Sequence, residues 1–523
     1  MHPERPRCGR TRQTADEAPG CIRGETPLDW FCHSVVSVKP NESAQRFEQL
    51  QGERLERAWR ADLPGSTDPH VVVALPSYSL DRSVYEHYGA RIGPLENRFL
   101  YVILRSQLPG VRTIYLSSLP TPAEVVDGYL ALAPPQARTT IEGNSALVSV
   151  GDAAPRPLAE KLLDSPHTLT ELRRLIGDEI ALIEAWNVGE AERDLALALQ
   201  VPVNGTDPSL RGLATKSAGR RLFRNLGIPT PDGVEGVASA EQVVAAVTTL
   251  RKRDPALAGV VVKLDDSVAG DGNVVLRFAE LPAAEAALSD AIRRALPAWY
   301  LTVLAGGGVV EALITGADFC SPSGQGAIRP DGHIEVLSTH DQRLGGPDGQ
   351  IYEGCSFPAR ESYAAEIGRH VAAVGAALAA EGALGRFAVD FAAIRTGGGW
   401  ALFALEINLR KGGTTHPFGV TRVLTGGSYD PESSSFALTD GTTRYYGATD
   451  NLVDEGWLGR SPQVVRQRLA TAGVAFDRRS RVGVIPHLLD CLAIDGRMGY
   501  TAIAESREQV ADLEATVKSA LAS

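Results

Sequence analysis

Residues 385–410 read "GRFAVDFAAIRTGGGWALFALEINLR". Two apolar runs flank the Thr-Gly-Gly-Gly stretch at 396–399, which predicts a β-hairpin. Side chains alternate between the two faces of a strand, so Glu406 and Asn408 share one face. A turn centred near 397–398 sets Asp390 opposite residue 405 or 406. Within one residue of register, Asp390, Glu406 and Asn408 therefore converge amid Phe387, Val389, Phe391, Leu402, Leu405 and Ile407. Carboxylates buried without partners are costly. A divalent cation removes that cost, and a few hard oxygen ligands suit Mg²⁺, which keeps substrate phosphates in its shell. An ion network with Arg386 and Arg410 is the competing reading. The next residues, "KGGTTHP" from Lys411, add a second cation, two glycines and His416.

Upstream, "AGVVVKLDDSVAGDGNVVLRF" (258–278) predicts strand, glycine-containing loop, strand. Lys263 ends the first strand, and Gly270 and Gly272 lie in the loop, where glycine lets backbone N–H groups approach a phosphate. A lysine at a strand end more ordinarily reaches solvent. Lys216 opens a predicted helix in "LATKSAGRRLFRNLGIPTPDG" (213–233), and Glu311 and Asp318 bracket a turn in "GGGVVEALITGADF" (306–319).

The chain has 523 residues, 44% hydrophobic and 22% charged, with net charge -11. That predicts two or three domains and argues against a nucleic-acid or membrane-surface protein. The six cysteines are too sparse for a disulfide framework, and Cys21, Cys32 and His33 fit no zinc spacing. Residues 1–45 read as a polar extension with no signal-peptide core, and no apolar run reaches about 18 residues, so a cytoplasmic protein is expected. Strands at 70–75, 111–118 and 145–152 alternate with helices at 98–110 and 122–134, which predicts an α/β layer over about 65–205 without a G-x-G-x-x-G. A long helix covers 361–382. Near the end, helices at 464–476 and 507–522 flank "RVGVIPHLLDCLAI" (481–494), which reads as strand or helix.

The order is more telling than any piece. A helix lysine, a strand lysine with a glycine loop, a Glu before a turn, then Asp and Glu-x-Asn at a hairpin resemble the ATP-grasp fold over about 205–427. The resemblance implies that Lys216 and Lys263 contact ATP phosphates under the Gly270–Gly272 loop. It also implies that Glu311 or a neighbour binds the adenine amino group, that Asp318 stands where a ribose-binding acid is common, and that Asp390, Glu406 and Asn408 hold Mg²⁺. D-alanine–D-alanine ligases carry small residues and a proline after Glu-x-Asn, whereas this chain has Leu409-Arg410-Lys411-Gly412-Gly413. The stretches "GTDPSLRGLATKSAGRRLF", "VVVKLDDSVAGDGN", "THDQRLGGPDGQIYEGCSFPA", "EINLRKGGTTHPF" and "AGVAFDRRSRVGVIPHLLDCLAIDGRMGYTAIAESRE" resemble peptide ligases of the pheganomycin-biosynthesis type instead. That likeness runs over about 70–508. Asp265 departs from it, since an asparagine is usual there.

The resemblance implies an α/β (α+β) chain. Its parts are an extension at 1–45, a pre-ATP-grasp domain at 46–204, an ATP-grasp domain at 205–427 and a small C-terminal domain at 428–523. It implies an ATP- and Mg²⁺-dependent carboxylate–amine ligase that works through an acylphosphate and joins an unusual amino acid to an amino acid or peptide in specialised metabolism. Arg386, Arg410 and Lys411 are expected to grip the acylphosphate and the acceptor's anionic groups, with Arg343 and His416 on the substrate side. Transfer to a non-amine acceptor and a catalytically silent nucleotide-binding protein are the alternatives. Small molecules are the expected partners, and a homo-oligomer is compatible with the sequence.

Overall fold

A computed structural model describes residues 42–79, 85, 88–267, 272–316, 318–346, 349 and 351–522. Residues 1–41 of the expected extension, Gly270 and the three cysteines before residue 41 lie outside the described residues. Residues 42–45, expected in the polar extension, instead open the helix Glu42–Ala61, whose buried Phe47 and Leu50 join the core of the N-terminal layer. The N-terminal layer is a parallel sheet of β1 His70–Leu75, β2 Val111–Ser117, β3 Ser145–Ser149 and β4 Ile180–Ala185, in the order β3-β2-β1-β4. β1 is buried along its whole length, as a Val-rich run between two covered faces must be. The helix expected over the apolar run at 98–110 is a 3-10 helix, Leu100–Gln107. Pro109 disfavours helical geometry at Leu108, which is extended at φ -77 and ψ 145.

Glu96 sits beside the end of β2, 1% exposed. Its carboxylate accepts Ser118 N at 2.7 Å and Ser118 Oγ at 2.6 Å. Burial pushes its pKa up to about 7, against those bonds and the nearby Lys161. The folded state therefore holds this proton more tightly than the unfolded chain, so Glu96 costs stability as pH rises from the ordinary glutamate range through about 7. Glu96→Gln is expected to gain on the wild type in thermal midpoint between pH 5.5 and 8. A difference that stays constant across that window would count against this linkage.

The second sheet is antiparallel: β5 Gly233–Glu235, β6 Gly259–Leu264, β7 Asn273–Arg277 and β8 Gly308–Ala312, ordered β5-β8-β6-β7. Helices Ala240–Arg253, Glu285–Ala295 and Ala298–Leu304 share its apolar core. The third sheet has eight strands and contains the hairpin. Its members are β9 Ser321–Ile328, β10 Ile334–Gly345, β11 Ile351–Phe357, β12 Gly385–Thr396 and β13 Gly399–Asn408. A separate small pair, β14 Ser428–Asp430 and β15 Ser435–Ala437, precedes its last three strands. Those are β16 Tyr445–Val453, β17 Gly483–His487 and β18 Arg497–Ala504, giving the order β13-β12-β9-β10-β11-β16-β18-β17. The C-terminal residues thus extend the hairpin's own sheet through β11–β16 pairing. The ambiguous 481–494 segment is both things in turn: β17, then a 3-10 turn at Leu489–Ala493.

Helix Glu361–Ala380 packs on the large sheet. β9, "SPSGQGAI", carries no apolar alternation because its glycines make room. A Cβ at Gly324 would overlap Val371 of that helix, and one at Gly326 would overlap the Phe387 ring.

Candidate active site

The hairpin turn pairs Thr396 with Gly399, which by simple counting sets Asp390 opposite Leu405. A bulge between Asp390 and Phe391 shifts the register by one and pairs Asp390 with Glu406. The extra residue re-aims the strand so that the two carboxylates and Asn408 meet. Asn408 Nδ2 donates to Asp390 Oδ2 at 3.0 Å and to Glu406 Oε1 at 3.3 Å. Gln342 Nε2, from β10, donates to Asp390 Oδ1 at 2.9 Å.

Helix Lys216–Asn225 lies across β13, with Gly219 facing Ile407. Asp265, the residue that departs from the family pattern, fixes this helix's start. Its carbonyl accepts Lys216 N at 3.2 Å and its Oδ1 accepts Ser217 N at 2.7 Å. A carboxylate at a helix N-terminus is favourable, so the aspartate is used there. Lys216 Nζ lies 2.6 Å from Glu406 Oε2. On the second sheet, Lys263 Nζ lies 2.6 Å from Glu311 Oε1. Arg220, one turn after Lys216, donates from Nη1 to Glu311 Oε2 at 3.0 Å, from Nε to Glu235 at 2.9 Å and from Nη2 to Pro231 O at 2.8 Å.

Burial raises the Asp390 pKa, and the neighbouring Glu406 charge raises it further. Burial acts the same way on Glu406, but Lys216 above all, then Lys263 and Arg410, hold that carboxyl well below its usual range. Two facing carboxylates that titrate in opposite directions behave as one site short of positive charge. That donor set fits a divalent cation. Among the described residues no group of three His, Cys, Asp or Glu is placed to hold a metal. Mg²⁺ at a phosphate needs only one or two carboxylates, and Asn408, whose amide nitrogen here donates to both, would supply its oxygen to such an ion after a turn of the amide.

Arg386, Arg410 and Lys411 line one small pocket with Gln325, Ser338 and Phe418. The Lys411 amine, however, is held by Glu184 at 2.8 Å and by the Ala185 carbonyl, and Lys411 N donates to Trp186 O at 3.0 Å. It ties the loop after β13 to the end of β4. Glu311, 1% exposed between Lys263 and Arg220, is engaged by two cations.

The structure does not bring Arg343, His416 or Asp318 to this cluster. Arg343 donates to Glu514 at 2.9 and 3.0 Å and to Ala448 O at 2.6 Å, on the opposite side of β10 from Gln342. His416 is fully buried, bonded to the Tyr129 hydroxyl at 3.2 Å, with its ring 4.2 Å from His487. Burial, then His487, keep it neutral. Asp318 sits in an exposed turn and pairs with Arg395 at 3.0 Å. Gly272 closes the base of the loop: its carbonyl accepts Leu264 N at 3.1 Å and the Tyr300 hydroxyl at 2.9 Å.

Sequence reasoning missed Arg220 and Gln342. Arg220 follows Lys216 by four positions, on the same helix face. Gln342 precedes Arg343 in "DQR", and alternation allows only one of the two to face Asp390.

The sheets, their order and this cluster define a nucleotide-dependent ligase fold. The biotin carboxylase domain of Hydrogenobacter thermophilus 2-oxoglutarate carboxylase, solved with MgADP, ADP and bicarbonate, superposes with TM-score 0.54 at 12% identity, covering 87% of this chain and 90% of that one. Campylobacter jejuni biotin carboxylase gives TM-score 0.52 at 13% identity, covering 84% and 88%. At such identities these speak for the fold alone. The L-propargylglycine–L-glutamate ligase of Streptantibioticus cattleyicolor is 30% identical over 417 residues, which are 76% of this chain and 83% of that protein. Residues 464–517 match the PGM1 C-terminal domain family. The chain belongs to the ATP-grasp superfamily, in the branch of peptide ligases of the pheganomycin-biosynthesis type, and is an ATP-dependent carbon–nitrogen ligase. No helix of the described residues is long and apolar enough to cross a membrane.

Proposed function

We propose that this chain is a cytoplasmic peptide ligase that joins the carboxylate of one amino acid to the amine of another amino acid or short peptide, with ATP and Mg²⁺. The observation that carries the reading is the placement of Lys216 against Glu406, beside Asp390 and Asn408. Asp390, Glu406 and Asn408 would hold the metal. Bound there, Mg²⁺ supplies Lewis-acid neutralisation of the phosphoryl oxygens.

Lys216 and Lys263 each hold one carboxylate in this structure, so engaging phosphate exchanges a carboxylate oxygen for a phosphoryl oxygen without adding net charge to a buried site. The acyl donor's carboxylate oxygen attacks the γ-phosphorus, and the bond to ADP breaks. The acceptor amine then attacks the acyl carbon, the C–N bond forms, phosphate leaves and the amine loses a proton. Arg410 and Arg386 would face the phosphoryl and acyl carbonyl oxygens of that acylphosphate, where forked guanidinium donors suit oxyanions.

The test is ADP release over a panel of amino-acid donors and acceptors, with mass spectrometry of products and hydroxylamine as a trap. Release that needs both a donor and an amine, with a dipeptide-mass product, is expected. Rapid donor-only turnover that gives hydroxamate but no amide would move the reading to a non-amine acceptor.

A further inference from the structure

Asp390, one of the three residues proposed to hold the metal, is gripped from two neighbouring strands. Ser321, Ser323 and Gln325 share one face of β9, and Ser323 stands directly opposite Asp390 on β12. On the far edge of β9, Gln342 of β10 is paired with Ser321. The two serines are short, so the longer Gln342 side chain reaches across β9, and its Nε2 donates to Asp390 Oδ1 at 2.9 Å.

The Ser323 hydroxyl bonds the same carboxylate. A serine hydroxyl has one proton to give and two lone pairs. Gln325 Nε2 donates to Ser323 Oγ at 2.9 Å, which occupies a lone pair and leaves the serine proton for Asp390. Ser323 and Gln325 are both buried, so water does not compete for these bonds. His340, paired with Ser323 from β10, is bonded through Nε2 to the Tyr446 hydroxyl at 2.6 Å and stays outside the chain. The two Asp390 oxygens are therefore held differently. Oδ1 is fixed by Gln342, whereas Oδ2 accepts Asn408 Nδ2 at 3.0 Å, from the amide that would itself turn its oxygen to a cation.

We infer that Gln342 and Ser323, the latter oriented by Gln325, are positioning residues that make Asp390 a one-oxygen ligand and thereby set a preference for Mg²⁺ over Ca²⁺. The inference rests on the metal assignment in the ligase reading above and adds the residues that select the ion. Mg²⁺ demands a compact, near-octahedral shell, whereas Ca²⁺ accepts a carboxylate through both oxygens in a larger and looser one. A carboxylate whose Oδ1 is already engaged offers an ion Oδ2 alone. Once Oδ1 is released, the group can swing and close on an ion through both oxygens.

The test uses the full chain with a non-hydrolysable ATP analogue and Mn²⁺ as the probe, read by electron paramagnetic resonance, with Mg²⁺ and Ca²⁺ as competitors. Wild type is expected to release Mn²⁺ to Mg²⁺ at lower concentration than to Ca²⁺. Gln342→Met is expected to weaken Mn²⁺ binding by about 10- to 100-fold, the range for losing a residue that holds a metal ligand, and to narrow the gap between the two competitors. Ser323→Ala does the same to a smaller degree. Gln325→Leu has a weaker effect still, which vanishes in the Ser323→Ala background because both act on one proton. Affinity for the analogue without metal stays within about twofold in each variant, which a folding defect would not spare. Equal displacement from wild type by Mg²⁺ and Ca²⁺, or an unchanged gap in Gln342→Met, overturns the inference and leaves the metal site and the ligase reading intact. A Gln325→Leu effect that persists undiminished in the Ser323→Ala background overturns the orientation of Ser323 by Gln325. No Mn²⁺ bound by wild type with the analogue overturns the metal assignment itself.

Discussion

Glu406→Gln is expected to lose at least about 10²- to 10³-fold in ADP release, with the fold kept. The substitution preserves side-chain volume and one acceptor oxygen, but it removes the charge that Lys216 meets at 2.6 Å. It also removes half of the negative charge available to a divalent ion. The two remaining donors, Asp390 and Asn408, already bond to one another at 3.0 Å. Losing the Glu406 charge relieves the repulsion that adds to burial in raising the Asp390 carboxyl, so Asp390 ionises more readily. That gain offsets part of the lost Lys216 contact, so stability is expected to change little while turnover collapses. The measurement is single-turnover ADP formation across a Mg²⁺ titration, alongside the thermal midpoint. Wild-type turnover with unchanged Mg²⁺ dependence would remove Glu406 from the metal site. Glu406→Ala is expected to match the Gln variant in rate and to fall further in stability, because it also leaves Lys216 beside a gap.

Asp390 and Glu406 illustrate how much of this site is legible in sequence. Period-two alternation and a glycine turn bring them within one residue of pairing, but the bulge that closes the last step has no side-chain signature. Loop residues fare worse. Lys411 and His416 follow β13 at once in sequence, yet the Lys411 amine is spent on Glu184 and the His416 ring is buried against His487. Chain neighbourhood says nothing about which way a loop side chain turns once a second layer packs on it. Fold legibility splits along the same line. Strands such as β1 and β6, apolar on both faces, are readable, while β9 hides because its glycines serve the helix and ring above it. Arg343 is the more conspicuous side chain of its pair, but its fork serves Glu514 of the C-terminal helix Arg507–Ala520 and the Ala448 carbonyl of β16.

Arg220→Met is expected to cost about 3–5 kcal/mol of stability, the range for breaking a buried charge cluster by removing one partner. Arg220 is 2% exposed and donates to Glu311, Glu235 and the Pro231 carbonyl. Methionine fills the space but donates nothing. Glu235 keeps Arg224, whose side chain is 49% exposed, as its remaining cation. Glu311, 1% exposed, keeps only Lys263. That asymmetry carries the functional consequence. While Arg220 shares the Glu311 charge, Lys263 can release it to meet a phosphate. Without Arg220, releasing Lys263 would strand a buried carboxylate, so the pair tightens and ATP must work against it. The expected signature is therefore a lowered urea midpoint together with a raised ATP KM, and an acceptor KM that does not move. Adding Glu311→Gln to Arg220→Met is expected to recover part of the lost stability, since the acid that lost its partner is now neutral. A midpoint shift equivalent to less than about 1 kcal/mol for the single variant, or an ATP KM equal to the wild type, would show that Arg220 does not tension the Glu311–Lys263 pair.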